Sequence, residues 1–109
     1  MTTGQARDGD DRRTHQVRIY TLRPGSAAAF LRWWRSTMPP LRHAFGFDID
    51  FAYLSEDETS FVWSVSAPGS AEEFRMLEQR YEASPERARA LADAPPVAAR
   101  TILLARRVG

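Results

Sequence analysis

Apolar positions along the chain follow two periods, near two residues in some stretches and near 3.6 in others. Val17-Arg18-Ile19-Tyr20-Thr21-Leu22 reads as a strand. Pro24-Gly25 breaks it, and Ser26 offers a capping oxygen to a following helix. That helix spans about Ala27 to Met38, with Ala27, Phe30, Leu31, Trp34 and Met38 on one stripe. Pro39-Pro40 is expected to end or kink it. Leu41 to Phe45 continues briefly until Gly46. Phe47 to Leu54 is the second strand. A polar hairpin loop, Ser55-Glu56-Asp57-Glu58-Thr59, leads into Phe61-Val62-Trp63-Ser64-Val65-Ser66. Pro68-Gly69 then repeats the earlier punctuation.

Pro24-Gly25-Ser26-Ala27-Ala28-Ala29-Phe30 is echoed by Pro68-Gly69-Ser70-Ala71-Glu72-Glu73-Phe74. Each copy follows a strand and opens a helix. Ser70 with Glu73 fits a capping box. The second helix runs from Ala71 to about Glu82, with Ala71, Phe74, Leu77 and Tyr81 on one side. Ser84-Pro85 starts a short third helix, Pro at its first position, and Pro95-Pro96 closes it. Thr101 to Arg106 is the last strand. The order β-α-β-β-α-β predicts an α+β, ferredoxin-like domain: a four-stranded antiparallel sheet ordered 4-1-3-2, both main helices on one face. Residues 1–14 contain nothing larger than Ala6 that is aliphatic after Met1, so they read as a disordered tail, with the domain covering 15–109. The second strand, read as alternating, carries apolar Phe47, Ile49, Phe51 and Tyr53 on one side and Ala52 and Leu54 on the other, and the middle of the last is apolar on both sides. An uncovered apolar face calls for a partner, and a symmetric homodimer supplies one.

Composition narrows the function classes. The 109 residues suit one domain. There is no cysteine, which removes disulfides, thiolate metal sites and thiol nucleophiles. Fifteen arginines face fourteen acidic residues, a formal charge of +1, which argues against nucleic acid as a partner. No apolar stretch is long enough for a membrane span. The start lacks a secretory hydrophobic run, so the expected location is cytoplasmic. With two separated histidines, no metal-ligand spacing exists. No glycine-rich phosphate loop and no serine-hydrolase motif is present. No cofactor is implied.

Asp48 and Asp50 are unexpected in a strand. At i and i+2 they share a face, about 7 Å apart. In a cavity, mutual repulsion and desolvation would make one a general acid or base. On an edge strand, they would instead block aggregation, or pair with Arg18 or Arg42. His43 suits proton transfer near Asp48, or simply sits in solvent at a helix C-terminus. Arg18 and Tyr20 share a face of a central strand. They could steady an enolate or phenolate, or form part of a dimer network. Trp33 and Trp63 are candidates for stacking on a flat ligand, with Phe51 and Tyr53 adding aromatic wall. Trp34 and Phe74 belong to the core stripes.

Arg18-Ile19-Tyr20-Thr21-Leu22-Arg23-Pro24-Gly25 resembles the opening R-x-Y-x-L-x-P-G of the NIPSNAP family, within the wider dimeric α+β-barrel, antibiotic-biosynthesis-monooxygenase-like superfamily. The resemblance continues through Phe30, Trp34, Pro40-Leu41-Arg42, Gly46-Phe47 and Ser55-Glu56-Asp57. It implies two ferredoxin-like protomers pairing their sheets. Among superfamily members it implies cofactor-free oxygenases, cyclases and isomerases of aromatic or polyketide-like intermediates in secondary metabolism, alongside haem-binding proteins. Phe45 stands where members often have His, and no catalytic residue carries over. The expected function is a cofactor-independent enzyme of this kind, in which Asp48 or Asp50 is the base, His43 a second proton carrier, Tyr20 and Arg18 the oxyanion donors. Trp33, Phe51, Tyr53 and Trp63 would hold the small-molecule substrate. The alternative is a non-catalytic binding or interaction module, or a haem binder using His43.

Overall fold

The computed structural model describes residues 12–109. The chain forms β1 (Arg13–Leu22), α1 (Ala27–Ala44), β2 (Asp48–Leu54), β3 (Ser60–Pro68), α2 (Ala71–Glu82), α3 (Pro85–Ala92) and β4 (Val97–Ala105). The sheet order is β2-β3-β1-β4, every pairing antiparallel, with β1 and β3 central. This is the expected ferredoxin-like α+β architecture. Of the expected tail, residues 1–11 lie outside the described residues. Arg13 and Thr14 belong to β1, paired with Pro68 and Ala67. The strand therefore starts earlier than its apolar residues suggest, because ladder hydrogen bonds and the buried Thr14, whose hydroxyl donates to the Gly69 carbonyl at 2.9 Å, hold its polar beginning.

The core lies between the sheet and the helices. Phe30, Trp34 and Met38 of α1 and Phe74 and Tyr81 of α2 meet Tyr20, Leu22, Phe61, Trp63 and Val65 of the sheet. Aromatic edges contact faces throughout: Trp34 with Trp63 at 5.3 Å, Tyr20 with Trp63 at 6.2 Å, Phe47 with Phe74 at 5.3 Å. Such geometry sets positive ring edges against negative faces.

Three local expectations are corrected. Pro39-Pro40 does not end α1, which runs unbroken through the expected continuation to Ala44. Packing of Met38 and Arg42 on the same buried stripe outweighs the lost backbone donors. Ser26 does not cap α1; its hydroxyl donates to the Arg23 carbonyl at 2.8 Å. The echo at Ser70 does cap, accepting from Glu73 N while Ser70 N donates to the Glu73 carboxylate at 2.7 Å. Third, β2 does not alternate throughout. Its register against β3 shifts between Ile49 and Phe51, leaving Asp50 as the extra residue of a bulge. Ile49 packs on the helix-side core, whereas Phe51 and Tyr53 lie together on the other face, rings 5.5 Å apart.

The face away from the helices is largely bare. Ile19, Tyr53 and Leu103 are 37%, 67% and 51% exposed. Ile102 and Leu104, on the helix side of β4, are also uncovered. Among the described residues, no helix is long and apolar enough to cross a membrane.

Candidate functional site

β1 runs through the middle of the sheet, yet its helix-facing positions are Thr14, Gln16, Arg18 and Tyr20, all buried. A charge placed there must find partners. Arg18 donates from Nε to the Tyr20 hydroxyl at 2.8 Å and from Nη1 to Gln16 Oε1. Its nearest carboxylate oxygen, Glu78 Oε2, is 3.8 Å from Nη1. Glu78 comes from α2, on the stripe between Phe74 and Tyr81. Its Oε1 accepts from Arg42 Nη1 at 2.7 Å. Arg42 comes from the last turn of α1 and is 2% exposed. Its guanidinium lies 4.0 Å from the Tyr81 ring centre and 4.7 Å from that of Phe47. The aromatic faces thus hold a cation that water cannot reach.

These groups line a cavity of about 60 Å³. Its floor is Arg18, Tyr20 and Trp63; α1 adds Trp33, Trp34 and Met38; α2 adds Glu78 and Tyr81. Arg87 and Leu91 of α3, with Ala94, Pro95 and Arg100, complete the mouth. Arg87 sits over Tyr81 and Arg100 over Tyr20. Helix α3 buries no residue fully. It is tied to α1 by the Trp33 indole, which donates to the Ala90 carbonyl at 3.1 Å. Burial pushes the Tyr81 phenol above its ordinary value, against the opposing pull of Arg42 and Arg87. Its hydroxyl contacts Met38 Sδ at 3.8 Å.

A second polar cluster lies on the opposite side of the sheet. Asp50 accepts from Ser64 Oγ and Ser66 Oγ at 2.8 Å each and contacts His15 Nδ1 at 2.9 Å. Asp48 pairs with Arg13 at 2.6 Å, and Arg13 also donates to Ser66. His43 Nδ1 is 3.9 Å from Asp48, both side chains largely exposed. Among the described residues, no three His, Cys, Asp or Glu side chains gather closely enough to hold a metal ion.

The residues singled out from sequence are therefore divided by the sheet. Arg18, Tyr20, Trp33 and Trp63 line the cavity under the helices. Asp48, Asp50, Phe51 and Tyr53 face the other way, and His43 stands in solvent beside Asp48. The aspartates pair with Arg13 and with His15 and two serines, not with Arg18 or Arg42. Trp63, 1% exposed, is packed edge-on among aromatic neighbours. Sequence reasoning missed Glu78 and the cavity role of Arg42. Both carried a signal: each charge falls on an apolar helical stripe, Trp34–Met38–Arg42 and Phe74–Glu78–Tyr81.

No family model and no curated protein matches the sequence. Solved structures do match in shape. A NIPSNAP family protein of unknown function from Agrobacterium tumefaciens is similar with a TM-score of 0.77 and 14% identity, over 89% of each chain. An uncharacterised NIPSNAP-like domain protein from Burkholderia xenovorans gives 0.76 and 16%, over 90% of this chain and 87% of that one. A proposed antibiotic biosynthesis monooxygenase from Caulobacter crescentus gives 0.68 and 14%, over 97% and 99%. The fold is thus the one these NIPSNAP and monooxygenase-like structures share, as the opening motif suggested.

Proposed function

We propose that the chain is a cofactor-independent small-molecule enzyme of the oxygenase, cyclase or isomerase type, working in the cavity between sheet and helices. One observation carries this reading: a carboxylate, Glu78, and two guanidiniums, Arg18 and Arg42, are buried side by side in the wall of a cavity rimmed by aromatic rings. Structural neighbours that include a proposed monooxygenase support it. The shared first step is proton removal beside a carbonyl. The C–H proton passes to Glu78 Oε2, the oxygen less engaged by Arg42. The electron pair moves onto the carbonyl oxygen, and the enolate is held by Arg18 and the Tyr20 hydroxyl. Asp48, Asp50 and His43, on the far side, then serve the contact with a second copy that covers the bare sheet face and its exposed Ile19, Tyr53 and Leu103.

The cavity favours a second reading. Its 60 Å³ falls below the roughly 300–1,000 Å³ usual for ligand pockets. A module that binds a small group without turning it over fits that volume. An aromatic substrate requires α3 to swing outward.

Deuterium exchange separates the two. In D2O, wild-type protein should accelerate loss of the α-proton signal of an aryl ketone such as 1-tetralone. Glu78→Gln should lower that rate by about a hundredfold, the scale of a lost general base. A panel of aryl ketones exchanging no faster than in buffer would leave the binding module as the better description.

A further inference from the structure

The charge lining the cavity is unbalanced. Four guanidiniums, those of Arg18, Arg42, Arg87 and Arg100, share it with a single carboxylate, Glu78. Arg42 takes up that carboxylate through both of its terminal nitrogens, at 2.7 and 3.5 Å. Arg18 is left with neutral acceptors, Tyr20 and Gln16, and with Glu78 at 3.8 Å, beyond hydrogen-bond reach. At 7% exposure it is a buried cation that shares the one carboxylate, Glu78, with Arg42, so the buried pair of guanidiniums keeps an excess positive charge. Such a group is costly to keep, and a bound negative charge offsets that cost. Arg87 and Arg100 stand at the mouth, where their field draws anions inward.

Resting on the reading of this cavity as the functional site, we propose that its ligand carries a carboxylate, which docks against Arg18 with the rest of the molecule leaving toward Arg87 and α3. The planar fork of a guanidinium matches a carboxylate with two parallel hydrogen bonds. The volume accommodates that end group. The aromatic rings of Tyr20, Trp33 and Trp63 wall the path that a flat hydrophobic remainder would take.

The chain has three tryptophans, and all three line the cavity. Their indole N–H signals in a 15N-labelled sample report occupancy directly. Benzoate should move them saturably, and benzamide, its neutral counterpart, should bind at least about tenfold more weakly, the value of one charged contact. Inorganic phosphate, with no apolar remainder to lie against the rings, should move them only at a higher concentration than benzoate does. Arg18→Met should weaken benzoate by about tenfold or more. Arg87→Gln, a change at the half-buried rim, should weaken it by about threefold and keeps the test decisive if the buried variant does not fold. Equal binding of benzoate and benzamide, tighter binding of phosphate, or unmoved indole signals at about 50 mM benzoate would each overturn the carboxylate assignment. Ketone deuterium exchange is read on a neutral molecule. Exchange without a benzoate preference removes the ligand class alone; a benzoate preference without exchange removes the catalytic reading alone.

Discussion

Arg42 Nη1 and Glu78 Oε1 lie 2.7 Å apart, joining the last turn of α1 to the middle of α2 under a roof of aromatic rings. Both side chains are buried, Glu78 keeping only a small exposed fraction. Arg42→Met leaves the Glu78 carboxylate with only the distant Arg18, and should lower unfolding free energy by about 3–5 kcal/mol. The double variant Arg42→Met, Glu78→Met removes both charges and should recover most of that loss. Urea denaturation of the two variants checks both values.

Asp50 offers a test on the other face. Asp50→Ala strips the acceptor from Ser64 and Ser66, both buried, and should cost about 1–3 kcal/mol. Because the sheet separates it from the cavity, ketone exchange by the folded variant should stay at the wild-type rate. Loss of exchange in a variant with native circular dichroism would move the chemistry to the far side of the sheet.

Oligomeric state tests the bare face. Light scattering should give twice the chain mass. Leu103→Glu puts a charge at a position 51% exposed in the single chain, so it should shift the mass to one chain without altering the circular dichroism. A wild-type protein that runs as one chain would remove the second copy from the proposal.

Tyr81 sets the alkaline limit. Burial holds its folded-state ionisation above the ordinary phenol value. Below about pH 10 the phenol is protonated in both states, and the stability of the fold is fully present. Above that, the unfolded chain releases the proton first, so stability falls as pH rises toward the folded-state value. Tyr81→Phe should flatten this alkaline fall in a series of urea midpoints taken at increasing pH.

The fold was readable because Pro-Gly-Ser punctuates the chain twice at equivalent places, and because two helical stripes alternate with strand periods. Those are local signals. What escaped were outcomes decided by tertiary contact. Pro39-Pro40 breaks isolated helices, but Met38 and Arg42 anchor α1 on both sides of it. Asp48 and Asp50 stayed open between a catalytic pair and a structural edge, because spacing says nothing about which face of a sheet the helices cover. Arg18 and Tyr20 were placed correctly together because β1 keeps strict alternation. Glu78 was passed over because a single acidic residue in a helix usually faces water, and only the neighbouring chain segments decide that it does not.

Asp50 also fixes the handedness of meaning along β2. Every residue after it points where its predecessor would have pointed in an uninterrupted ladder. Deleting that one amino acid would restore an unbroken ladder with Phe51 and Tyr53 still outside and Ala52 and Leu54 still inside, whereas forcing Asp50 into regular pairing would turn Phe51 and Tyr53 down into a space already filled and exchange the inner and outer linings of the edge.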